Sequence, residues 1–104
     1  LVTQGKYDKA RAMFERALNI RESALGPVHP DVAASLNDLG WLLRLQGRYE
    51  DALPLCEQAL AMRKKTLGTN HPDTAISLKN LAAIWEAQVG LLNEDYLLVR
   101  ICEL

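Results

Sequence analysis

A chain of 104 residues, 49% hydrophobic, 24% charged and with a formal net charge of −1, suits one small domain or part of a repeat array, and it can bury only a modest core. Lys and Arg nearly balance Asp and Glu, so no basic field exists to gather nucleic-acid phosphates or anionic lipid heads, and neither is expected as a partner. No run approaches the ~20 apolar residues that span a bilayer, and the stretch "LVTQGKYDKA" lacks the apolar core of a secretion signal. Cys56 and Cys102 are far apart and lack CxxC spacing, which reads as small buried thiols in a reducing, cytoplasmic compartment. The chain starts without Met, inside what reads as an element, as a piece of a longer protein would.

Self-comparison finds a period of 42: "QGKYDKARAMFERALNIRESALG" lies over "QGRYEDALPLCEQALAMRKKTLG", and "HPDVAASLNDLG" over "HPDTAISLKNLA". Between residues 5–46 and 47–88, 17 of 42 positions are identical. Apolar residues recur at three and four within each half, the spacing of a helix with one buried stripe.

The first helix is predicted over about 6–25, with Tyr7, Ala10, Phe14, Ala17, Leu18 and Leu25 as its stripe and Gly26-Pro27 as its stop. The second, about 30–46, starts at His29-Pro30 and buries Leu36, Leu39, Gly40 and Leu43 before Gly47 interrupts it. The third, about 49–67, mirrors the first through Tyr49, Ala52, Cys56, Ala59, Leu60 and Leu67; Pro54 lies near its first turn, where few N–H groups have intrahelical partners. The run Arg63-Lys64-Lys65 reads as this helix's solvated face. The fourth, about 72–88, mirrors the second through Leu78, Leu81, Ala82 and Trp85. Residues 89–104 lose the pattern and are expected to hold a short, divergent helix from about Asn93 to Glu103.

His29, Asp31 and Ser35 are the residue types of a hydrolytic triad, but His71, Asp73 and Ser77 repeat them at the same spacing. Helix starts are duplicated in every repeat, whereas catalytic groups rarely are. Proline fits the first helical position, and the adjacent aspartate complements the positive end of the helix dipole. A serine one turn into a helix is no strained nucleophile elbow. With no Gly-rich phosphate loop, HExxH or paired cysteines, no enzyme, cofactor or metal is expected.

Leu36, Leu39-Gly40, Leu43, Gly47, Tyr49, Ala52, Cys56 and Ala59-Leu60 resemble the tetratricopeptide repeat, and the 42-residue length is similar to the repeats of kinesin light chains and nephrocystin-like proteins. Leu43 and Cys56 are smaller than that family's aromatics. The resemblance implies an all-α superhelix of antiparallel helix pairs, about two and a half repeats here, whose concave groove holds a peptide or helix segment of a partner protein.

Helical projection puts Ala34, Asn37, Trp41 and Arg44 on one stripe of the second helix, and Ile76, Lys79, Ala83 and Glu86 on the equivalent stripe of the fourth, with Asp38 and Asn80 at the edge. Asn37 suits a peptide backbone, Arg44 and Lys79 suit acidic side chains, and Trp41 offers an apolar platform. The family's carboxylate clamp is incomplete, because Trp41 follows Asn37 and Ala83 follows Lys79 at four residues. The alternative is a self-associating scaffold that forms a homo-oligomer through exposed terminal helices.

Overall fold

The computed structural model describes residues 2–88 and 101–103, with side chains from residue 5 onward. Four helices make up nearly all of it: α1 (Val2–Leu25), α2 (Pro30–Leu45), α3 (Tyr49–Leu67) and α4 (Pro72–Gln88). Each packs on the next in sequence, and α2 also meets α4 directly. The divergent segment expected over 89–104 lies outside the described residues, apart from Ile101, Cys102 and Glu103. Ile101 packs against the core.

The punctuation acts through backbone hydrogen bonds. His29 is the N-cap of α2, with φ −154° and ψ 145°, and its Nδ1 accepts the Asp31 N–H at 3.0 Å. His71 Nδ1 accepts from Asp73 N–H at the same distance. An imidazole nitrogen thereby satisfies one of the orphan donors of each helix start, and proline removes another. At the end of α2, Arg48 N–H donates to Leu43 O and Gly47 N–H to Arg44 O, both at 2.9 Å. This is a Schellman closure, and it needs the φ of +77° that Gly47 adopts. Helix α3 continues through Pro54 without a break.

The core has two parts. Leu39 and Leu43 of α2, Ala52, Cys56 and Leu60 of α3, and Leu81, Ile84 and Trp85 of α4 form the larger, with Phe14 and Leu18 of α1 against it. Val32, Ala33 and Leu36 close with Ala59 in the smaller, flanked by Leu18, Leu55 and Met62. Three core placements depart from the sequence reading: Leu25 is exposed at the end of α1, Cys102 is exposed where a buried thiol was expected, and Leu78 and Ala82 are only half-buried while Thr74, Ser77 and Ile84 are buried.

Helix α2 approaches α3 closely at Gly40, where a Cβ would stand 2.5 Å from Cys56 Sγ. Burial pushes the Cys56 thiol up to about 11, although Arg44 pulls the other way and Glu57 adds to the rise. The thiolate is the reactive form, so Cys56 is expected to resist iodoacetamide at pH 8 in the folded chain, while exposed Cys102 reacts. Intact-mass spectra should show one adduct natively and two after denaturation; two native adducts forming at similar rates would contradict this packing.

Candidate interaction surface

Helix α2 is buried around most of its circumference, because α1, α3 and α4 all pack on it. Asp38, Trp41 and Leu45 remain exposed as its one open line, with half-buried Ala34 one turn before them, at i, i+4, i+7 and i+11 from Ala34, which is one face of a helix. Trp41 is 44% exposed and Leu45 42%. On α4 the corresponding line carries Ile76, 49% exposed, with half-buried Asn80 and Ala83. Lys79 and Glu86 are exposed beside it. The two lines lie on helices that are in direct contact.

Asn37 departs from the projection that set it beside Trp41 as an open contact residue. It is 5% exposed, in the seam between α2 and α4, where its Oδ1 accepts from Ser77 Oγ at 3.5 Å. The projection fails here because it sees one helix at a time, whereas the neighbouring helix consumes the flank at Asn37. Arg44, on the same flank, is half-buried. Leu45 was missed by sequence reasoning; its position one turn beyond Trp41 was the available signal.

Arg63 is a second departure. The sequence placed it on a wet face with Lys64 and Lys65, yet it is 7% exposed. Its Nη1 donates to Asp73 O and to Ser77 Oγ, each at 3.0 Å. The hydroxyl of Ser77 passes the chain on to Asn37, so one polar path runs from the end of α3 through α4 into α2. Forty-two residues earlier, Arg21 Nη1 makes the same pair of bonds, to Asp31 O at 3.1 Å and Ser35 Oγ at 2.9 Å. The guanidinium fork is suited to this task, because it can hold a backbone carbonyl and a hydroxyl one turn apart. The identity of Arg21 and Arg63 across the repeats was the signal for it.

These contacts also account for the apparent triads. The ring nitrogen of each histidine holds a backbone N–H, and each serine hydroxyl is buried against an arginine. Asp38 is exposed, but nearby packing strips enough water to raise its carboxyl pKa, against the pull of Arg21 and Arg63. An open cleft of about 300 Å³ lies between the α2–α3 turn and Gln88; its lining pairs Arg48 Nη2 with Asp51 Oδ2 at 2.8 Å and holds no cysteine or histidine. Among the described residues no three His, Cys, Asp or Glu side chains converge on a metal position, and no helix is long and apolar enough to cross a membrane.

A family model described as tetratricopeptide repeat matches residues 1–65 and, overlapping that span, 42–90. No curated protein matches the chain.

Proposed function

Since the chain belongs to the tetratricopeptide repeat family, whose repeats generally serve protein–protein interaction, we propose that the shared α2–α4 surface binds a segment of another protein. The observation that carries this reading is the exposure of Trp41 and Leu45 on α2, whose other faces are packed, together with exposed Ile76 on neighbouring α4. Apolar groups left open on a rigid helix stay hydrated at a free-energy cost in the free chain, and a partner that removes them from water relieves that cost with little ordering entropy lost by the receptor. In this reading Trp41 is the anchor, Ile76 and Leu45 extend its apolar floor, and Ala34 and Ala83 leave room for a bulky partner side chain. Lys79, Asp38, Asn80 and Glu86 select charge at the rim, and Arg44 with Asn37 holds the seam beneath. The interaction takes place in the cytoplasm, a location that the two free cysteines support.

Trp41→Ala is expected to weaken capture of a partner by about tenfold or more, in keeping with truncation of an interface anchor. The wild type and Trp41→Ala/Ile76→Ala should be compared in pull-downs from cell extract, with helicity checked by circular dichroism. Helicity should be unchanged, since both side chains are solvent-facing. Equal recovery of the same proteins by both chains would remove the surface from consideration.

A further inference from the structure

Asp38 lies on the open line of α2, one turn before Trp41, and among the described residues its carboxylate has no hydrogen bond or ion pair. We propose that these two residues receive an arginine side chain of the partner segment, its guanidinium bonded to the Asp38 carboxylate and stacked on the Trp41 indole. The inference rests on the reading of this surface as a binding site and supplies the chemistry of what binds there.

The carboxylate is poorly supported in the free chain. Arg21 of α1 and Arg63 of α3 are the cations that act on it, but each guanidinium is committed elsewhere, to a backbone carbonyl and a serine hydroxyl. Partial burial outweighs their pull and pushes the Asp38 pKa up, so the charged form lacks a partner that an incoming cation would provide. Arginine fits better than lysine, because its plane stacks on an indole while its fork holds a carboxylate; an ammonium brings the charge without the flat contact. On a helix, side chains at i and i+3 are neighbours and long ones lean back toward the N-terminus, which brings indole and carboxylate onto one patch.

No other charge competes along α2, since Ala34 and Leu45 complete its line. Lys79 stands one repeat on from Asn37, which α2 turns toward α4, so it lies on the flank of α4 that points away from α2. A helix pair packed ahead does not close such a line. Helix α4 has α2 and α3 packed on it, yet Ile76 is 49% exposed, and Asn80 and Ala83, the equivalents of Asp38 and Trp41, are only half-buried. The neutral Asn80 and small Ala83 also make the acid–aromatic pair particular to α2.

The test selects short random peptides, displayed on phage, against the whole chain, and rescreens each enriched peptide on Trp41→Ala and Asp38→Asn. Asparagine is the residue at 80, so Asp38→Asn should keep its helicity by circular dichroism. Peptides that need Trp41 are expected to share an arginine. Asp38→Asn should weaken them about tenfold, as should glutamine in place of that arginine on the wild-type chain, and both changes together should cost little more than either alone. Trp41-dependent peptides that share no arginine, that carry lysine or an acid in its place, or that ignore Asp38→Asn overturn the inference and leave the surface reading standing. A selection that yields no Trp41-dependent peptide overturns both. Self-association of the wild-type chain that Asp38→Asn abolishes would assign the pair to a second copy and likewise overturns the inference.

Discussion

Arg63→Ala lowers the free energy of unfolding by about 2–4 kcal/mol, the largest loss expected from any polar side chain among the described residues. The substitution removes one buried donor that serves both Asp73 O and Ser77 Oγ. It leaves a buried hydroxyl short of a donor and opens space at a side chain that is only 7% exposed. For a few helices whose total stability is several kcal/mol, a loss of that size shifts a large fraction of molecules to the unfolded state. Arg63→Lys should rescue little, because an ammonium on a flexible stem does not reproduce the guanidinium's paired geometry. Arg63→Met keeps most of the apolar stem and separates lost packing from lost hydrogen bonds. Arg21→Ala serves as the internal control: it breaks the same pair of bonds at a half-exposed site and should cost only about 1 kcal/mol. Urea denaturation followed by circular dichroism reads all four variants. Equal losses at Arg21 and Arg63 would show that burial does not set the value of this contact.

Gly40→Leu is the second large effect, expected at about 3 kcal/mol through overpacking. Even a single Cβ there meets Cys56 Sγ at 2.5 Å, with the Ala52 carbonyl oxygen already in van der Waals contact at 3.5 Å, so the further atoms of a leucine have no free space on that side. Helices α2 and α3 would have to separate along the larger core cluster that Leu39, Leu43, Cys56 and Leu60 share. Gly40→Ala is the graded version. It gains about 1 kcal/mol of helix propensity while meeting the same sulfur, so its net cost should be only about 1 kcal/mol. Cys56→Ala removes that sulfur. In its presence Gly40→Ala should become neutral or stabilising, a coupling that a double-mutant cycle in urea measures directly. Additive effects of the two changes would contradict the contact.

The spacing of Leu39, Leu43, Ala52, Cys56 and Leu60 was enough to give an all-α stack with those residues inside, because a helix with an apolar stripe has to bury it. His29-Pro30-Asp31 and Gly47 were readable for a similar reason: capping and left-handed closure are decided within a few bonds of the chain. The open line at Ala34, Asp38 and Trp41 was partly readable, since it is what remains of α2 once the apolar residues are removed.

Asn37 and Arg63 were not readable in that way. A polar residue on a single helix looks solvated until a second helix supplies both the burial and the hydrogen-bond partner, and those partners, Ser77 for Asn37 and Asp73 and Ser77 for Arg63, come from another element. The sequence by itself determined the local order of this protein: helix periods, caps, the 42-residue repeat and the small residues that permit close approach. Only the tertiary structure decided which polar side chains became buried ties and which apolar ones stayed open, because burial belongs to pairs of helices, and no single helix carries that information in its own pattern.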